Sequence, residues 1–280
     1  MMKAEKAARS SLTAITIIVA LLIGLILIFP IIYCFLSAFK SRAEFAAYPP
    51  SLWPSSFTYL DNFATALQKT PILRFMVNSL IVSAVGSFGR ILLAALAAYA
   101  FAYYDFKGKR FFFMLILGTM MLPADTLIIT NYLTVARMNL LDNYLGMCIT
   151  SMVGASQMFM LRQNFKTIPK SLREAAMLDG CGDFRFLAKV VLPISRPVLL
   201  TLIVQSFVSF WNAYLWPLLV TNKEKMRTVQ VGIAMLTTTS DTNYTLVMAA
   251  VSIILIPSFI LFIILRRNIV KGIAAGALVG

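Results

Sequence analysis

Apolar residues run along this chain in long unbroken blocks. The blocks approach about 20 residues, the length at which a helix rising about 1.5 Å per residue crosses a hydrocarbon layer of about 30 Å. Six such stretches are read as spans: 13–39, 75–101, 111–133, 144–161, 198–220 and 246–265. The third and fourth are the least clean, because Asp125 and several polar residues interrupt them. Membrane β-barrels alternate apolar and polar positions in segments of about ten residues, a pattern these runs lack. A helix also satisfies its own backbone polar groups where lipid offers none. The expected fold is an all-α membrane protein of six transmembrane helices forming a single transmembrane domain over residues 1–280.

Composition agrees with that environment. Sixty per cent of the residues are hydrophobic and 13% are charged, and mean hydropathy is +0.83, values that an ordinary soluble domain does not show. Charge then sets the orientation. Six spans leave both termini on one side, with the loops around 102–110 and 162–196. That side carries sixteen Lys and Arg against eight on the other, with Arg90 left inside a span. The positive-inside tendency puts the richer side, both termini included, in the cytoplasm. The net charge of +14 is thus a topology signal. Its cations are dispersed among spans and form no single patch, so nucleic acid is not an expected partner. Lys3, Lys6 and Arg9 resemble the head of a signal peptide. The apolar run after them exceeds the usual stretch of roughly 7–15 residues, and no small-residue cleavage site follows promptly, so an uncleaved first span is expected.

Residue inventory argues against catalysis. There is no histidine, which removes the commonest general base and metal ligand. The eleven acids are scattered, and no GxxxxGK[ST] phosphate loop occurs. Cys34 and Cys148 fall in spans and Cys181 in a loop, suggesting neither a disulfide framework nor a metal set. The chain is expected to bind no cofactor of its own, and any ATP involved would be held by another chain.

The 162–196 loop carries the most local information. Pro169 precedes Ser171-Leu172-Arg173-Glu174, which reads as a capping box with Ser171 at the N-cap and Glu174 reaching back. Ala175 and Ala176 give the short helix a small face, and Gly180 stops it in a left-handed C-cap. Asp183 is placed to cap a second helix, which Pro193, thirteen residues past Gly180, would end. Two readings remain open at this point: an ordinary capped connector between spans, or a compact knob on which another protein docks.

The run EAAMLDGCGDFRFLAKVVLPISRP resembles the signature loop of the membrane-spanning subunits of binding-protein-dependent ABC importers. Glu174, Ala175, Ala176, Asp179, Gly180, Phe186, Val190 and Pro193 sit on its pattern. The resemblance continues through Asn78-Ser79-Leu80, Ala98-Tyr99-Ala100 with Phe106-Lys107-Gly108-Lys109, Leu122-Pro123, the segment from Trp211 through Leu218, and the glycine-rich tail 272–277. It covers most of the chain and is specific to the carbohydrate-type branch, resembling the second permease subunit of maltose importers and its counterpart in glycerol-3-phosphate importers. Cys181 stands where many relatives have alanine, and Val279 where many have a basic residue, which puts a charged tail contact in doubt.

What the resemblance implies is a permease subunit in the cytoplasmic membrane that imports a sugar or sugar-like solute. It would pair with a homologous second permease, sit on two ATPase subunits that bind ATP and Mg, and receive solute from an extracytoplasmic binding protein. Glu174, Ala175, Ala176, Asp179, Gly180 and Pro193 would form the ATPase-coupling helix-turn-helix.

Candidate path residues come from polar and aromatic side chains at membrane depth. Asp125 is costly in lipid and should face protein or water, either lining the path or pairing with Arg90. Trp211, Tyr214 and Trp216 would stack on sugar rings or form an interfacial aromatic belt. Asn212 and Gln157 would line the path or hydrogen-bond between helices. The outer loop 40–74 would receive the binding protein or act as a packed linker. A stand-alone secondary transporter and a membrane scaffold are the rival classes. The first would be marked by inverted half-to-half repeats, and none is evident.

Overall fold

The computed structural model describes residues 2–237 and 243–277, and every regular element among them is helical. The helices group into two compact units, one formed by residues through Thr70 with Met235–Ile256, the other by Pro71–Ala234 with the residues from Pro257 onward.

The first unit begins with α1 (Met2–Ser37), whose stretch Ile15–Ser37 is long and apolar enough to cross a membrane. Its isoleucines and leucines are exposed almost all round, as suits a helix whose surroundings are themselves apolar. Two short helices follow, α2 (Arg42–Ala46) and α3 (Asp61–Lys69). The Ser41 hydroxyl caps α2 by accepting from the Glu44 amide. The buried Asn62 of α3 ties the unit together. Its amide donates to the carbonyls of Ala38 and Lys40, both at 2.8 Å, and its carbonyl accepts from the Thr245 hydroxyl at 3.1 Å. Lys40 is itself buried, donates to the Ser51 carbonyl and lies over the Tyr33 ring. The 40–74 segment, expected as an outer loop, is thus a braced structure up to Thr70, with Tyr48 and Trp53 left exposed.

The second unit is built on α4 (Ile72–Tyr103), among the described residues the other single helix long and apolar enough to cross a membrane. After it come α5 (Lys109–Thr119), α6 (Ile128–Arg137), α7 (Tyr144–Cys148), α8 (Ala155–Lys166), α9 (Lys170–Leu178), α10 (Asp183–Phe186), α11 (Leu192–Ile194), α12 (Arg196–Trp211) and α13 (Leu215–Val220). α14 (Val229–Thr237) and α15 (Tyr244–Ala277) close the chain, and the expected 246–265 span lies in α15. α4 packs mainly on α8 and α12. Apolar contact alone drives little helix association in lipid, so close approach of small residues must supply it. α4 does this with Gly86, Ala94, Ala95 and Ala98. A Cβ on Gly86 would lie 2.6 Å from the Phe210 ring of α12, so only glycine admits this crossing.

Three expected spans are interrupted. The stretch 111–133 is α5, a tight 3-10 turn at Ala124–Leu127, and α6. The amides of Met120, Met121 and Leu122 each bond back only three residues, and Pro123 disfavours helix in the residue before it. The stretch 144–161 is α7, a 3-10 turn at Ile149–Ser151, and α8, bent by 58° at the break. The stretch 198–220 is α12 and α13, parted at 212–214 because Pro217 would clash with the carbonyl four residues earlier in a continuous helix.

Candidate functional site

The predicted helix-turn-helix is present as α9 and α10, but its caps differ from expectation. α9 starts at Lys170 with Pro169 at the N-cap, and no side chain caps it. Proline at φ −57° already holds the entry to a helix, which moves the start upstream and leaves Ser171 inside the first turn. The Ser171–Glu174 capping box therefore does not form. The C-terminal half is as expected. Gly180 has φ +70°, its amide donates to the Met177 carbonyl at 3.0 Å, and the Cys181 amide reaches the Ala176 carbonyl at 2.8 Å. This pair of bonds, with Asp179 at the C-cap, is the Schellman arrangement.

Asp183 is not the cap of the second helix. Gly182 takes that position with extended backbone, and Asp183 is the first helical residue. Nor does Pro193 end the helix. A π-turn spans Leu187–Val191, with the Leu192 amide bonding to the Leu187 carbonyl. This widening relaxes the helix just ahead of the proline. The helical path then continues to Ile194, turning by 85° into α12. The bend falls at Ser195, ahead of Pro197.

The Asp183 carboxylate faces the end of α4. One oxygen accepts from the Tyr99 hydroxyl at 2.9 Å and from Arg173 Nη2 at 3.1 Å, and the other accepts from the Tyr104 hydroxyl at 2.5 Å. Arg173 Nη1 also donates to the Tyr103 carbonyl at 2.9 Å. The Tyr104 hydroxyl bond, then the Tyr99 bond, and the Arg173 guanidinium hold the Asp183 carboxyl below its ordinary value despite partial desolvation. Phe186 is buried beneath this cluster, its ring edge-on to Tyr103 at 5.7 Å. The Tyr103 hydroxyl donates to the Phe165 carbonyl at 3.1 Å, so α4, α8, α9 and α10 meet here.

The opposite side of the hairpin is open. Glu174, Ala175, Asp179, Gly180 and Pro193 are exposed, and Ala176 is half-buried against the core. Leu178 is 90% exposed, Phe184 81% and Met177 62%. A shallow recess between the helices is lined by Met177, Gly180, Cys181, Gly182 and Asp183. Large apolar side chains exposed together on a polar hairpin are the kind of patch that interaction surfaces carry.

The candidate path residues separate into two places. Gln157 is buried on the first turn of α8, accepting from the Ser156 hydroxyl at 3.0 Å. Trp211, Asn212, Tyr214 and Trp216 gather at the break between α12 and α13. Trp211 is buried and stacks on Phe207, and the Trp216 indole donates to the Gly146 carbonyl at 3.2 Å. Asn212 and Tyr214 are exposed. The backbone of Asp125 lies in the 3-10 turn after α5, and its side chain lies outside the described residues, as do Val279 and the side chains of the tail. Arg90 donates from Nε to the Ser151 carbonyl at 2.7 Å and stacks on Phe210 at 4.4 Å, bracing the break before α8. Among the described residues no three His, Cys, Asp or Glu side chains group as a metal site.

Sequence reasoning missed the cluster of Tyr99, Tyr104, Arg173 and Asp183. Its only signal was three tyrosines at the end of a span, which an interfacial aromatic belt also shows. The Asn78 end of α4 was flagged by resemblance alone. There Asn78 donates to the carbonyls of Lys225 (3.0 Å) and Arg227 (2.8 Å) and accepts from the Tyr144 hydroxyl (2.7 Å), while Ser79 accepts from the Val229 amide at 2.9 Å.

Residues 3–275 match the family described as binding-protein-dependent transport system inner membrane component. The sn-glycerol-3-phosphate transport system permease protein UgpE of Yersinia pestis is 34% identical over 264 residues, covering 91% of this chain and 94% of the relative. The protein of the same name from Agrobacterium fabrum is 33% identical, covering 90% and 93%. A chain in the crystal structure of a bacterial ABC transporter involved in import of the acidic polysaccharide alginate superposes with a TM-score of 0.79 at 26% identity, covering 91% of this chain and 96% of that one. With an all-helical apolar fold, a glycine-turned hairpin and a family match over nearly its whole length, this chain belongs to the inner-membrane permease components of binding-protein-dependent ABC importers.

Proposed function

We propose that this chain is one of two homologous permeases that form a translocation path for a sugar or sugar-like solute, with six spans and both termini in the cytoplasm. Two ATPase subunits bind ATP and Mg below it, and an extracytoplasmic binding protein delivers solute from outside. The similarity to glycerol-3-phosphate permeases supports a small polyol or sugar derivative as cargo. The path residues in this reading are Asp125, Gln157, Trp211, Asn212, Tyr214 and Trp216. Asn212 and Tyr214 present their side chains at a helix break, where freed backbone polar groups suit a watery cavity.

The observation that carries the reading is the exposed apolar tip of the α9–α10 hairpin. Met177, Leu178 and Phe184 stay largely exposed in this chain, while the turn between the two helices is closed by two backbone bonds. A cleft in an ATPase that received this tip would gain their burial, about 1.5–3 kcal/mol for each large side chain. Closure of the ATPase dimer on ATP would then move the hairpin, and with it the helices that face the path. Glu174, Ala175, Ala176, Asp179, Gly180 and Pro193 shape this coupling element, the alanines and glycine by allowing close approach.

The test is co-purification of the ATPase with tagged permease. Phe184→Glu and Leu178→Glu should each release the ATPase while leaving the permease at its normal level in the membrane. Full retention of the ATPase by the double variant would refute the docking role.

A further inference from the structure

We infer that Tyr99, Tyr104, Arg173 and Asp183 form a positioning joint that makes the coupling hairpin and α4 move as one body. The inference rests on the coupling role of the hairpin proposed above.

α9 has no fully buried residue. Its packing against the rest of the chain comes from the half-buried Ala176, and its polar tether is Arg173. That guanidinium donates once to the Tyr103 carbonyl in the last turn of α4 and once to Asp183 at the head of α10. Asp183 in turn accepts from Tyr99 and Tyr104. Both limbs of the hairpin and the end of α4 therefore share one set of charge-assisted bonds. Such bonds are directional and stronger than neutral ones. Packing on apolar surface permits sliding, whereas a planar guanidinium held at two acceptors fixes orientation as well as distance. The guanidinium also lies 5.6 and 5.5 Å from the Tyr103 and Tyr104 rings, and the buried Phe186 supports Tyr103 from below. A load applied at the exposed tip thus enters α4 through these four side chains, together with the packing of Phe186 on Tyr99 and Tyr103. They act by holding the hairpin in register.

The experiment uses the complete reconstituted complex, with spin labels at Lys170→Cys on α9 and Phe88→Cys on α4, both exposed positions. Cys34 and Cys181 are replaced by serine and the buried Cys148 by alanine. Pulsed electron resonance reads the distance between the labels without nucleotide and after trapping with ATP, Mg and vanadate. In the parent, one narrow distance should persist through trapping. In Asp183→Asn and Arg173→Lys the trapped state should show a shifted or broadened distance, with the ATPase still bound. Tyr104→Phe, a milder change at an exposed site, should give an intermediate broadening. Unchanged distances in all three variants, or a shift already present in the parent, would overturn the joint. Failure of the underlying coupling reading shows separately, as ATPase retention that survives the Phe184→Glu and Leu178→Glu changes.

Discussion

Gly180 separates two demands that a turn docking on an ATPase, as proposed, would place on one residue. Its φ of +70° lies in the left-handed region, and a Cβ built there meets nothing within 4 Å. Substitution therefore costs backbone strain and no collision inside this chain. For alanine the strain is about 1–2 kcal/mol, partly offset by about 0.4–1 kcal/mol from a stiffer unfolded chain. The net is on the order of 1 kcal/mol, roughly a fivefold loss in the population of the closed turn. Asparagine tolerates the left-handed region and should cost less, and valine, branched at Cβ, should cost more. The closed-turn order is thus Gly, Asn, Ala, Val. Amide exchange of Gly180 and Cys181, whose N–H groups close the turn, reads that order in the permease alone. ATP hydrolysis by the reconstituted complex reads it in function. If the turn conformation is what the ATPase requires, both orders agree. Asparagine no better than valine in hydrolysis, while amide exchange keeps the expected order, would refute strain as the cause and assign Gly180 to close approach by the partner. Equal exchange for glycine and valine would refute the strain reasoning itself.

Four further outcomes follow from the same geometry. A cysteine at Ser171, in a background with Cys181→Ser, should resist a membrane-impermeant reagent in intact cells and react in inverted vesicles, since the 162–196 loop carries seven basic residues. Gly86→Val should drive a side chain into the Phe210 ring and lower stability by about 1–3 kcal/mol, read as a lower melting temperature in detergent and partly recovered by adding Phe210→Leu. Asn78→Ala leaves the Arg227 carbonyl without its side-chain donor and the Lys225 carbonyl with Arg74 Nε alone, at a cost of about 1–3 kcal/mol, and trypsin should then cut faster after Arg227. Asp183 has its pKa held below 3.8 in the folded chain, so the stability it contributes is present above that value and lost as pH falls through the lowered one. Near-ultraviolet tyrosine dichroism should accordingly stay constant from pH 7 to about 4 and change only below it, with Asp183→Asn removing the transition.

The membrane character, the helical class and the place of the glycine-turned hairpin were legible because they depend on composition and on short-range signals. A left-handed glycine after an alanine-rich turn is a local event, and Gly180 behaves as its neighbours dictate. The caps were misjudged where two local signals competed. Ser171 and Pro169 both qualify as helix starters, and the fixed proline φ prevailed over a side-chain hydrogen bond. Asp183 had an acceptor role available beside it in sequence, yet two tyrosine hydroxyls and a guanidinium offered more bonds than one backbone amide. Those donors lie up to 84 residues away, beyond any window in which periodicity or capping is read. The span breaks were half legible. Pro123 and Pro217 announce an interruption, but hydropathy averaged over a span does not register it.

α4 carries a tie at each end, and the two ties are about 32 Å apart along its axis, from Asn78 to Tyr99 at 1.5 Å per residue. That distance is the thickness of the hydrocarbon layer, about 30 Å. Between them α4 contains no proline, and its glycines at 86 and 89 are roofed by Phe210 and Met152, so it has no weak point at which to fold. A lever of this length tilted by about 0.1 radian displaces its far end by about 3 Å, comparable to a full hydrogen bond. The Asn78 and Ser79 bonds to the 225–229 segment would then have to travel or break. If the hairpin couples to an ATPase as proposed, α4 would carry a movement of the hairpin to the loop before α14 in a single mechanical step, and a push at that loop would return to the hairpin.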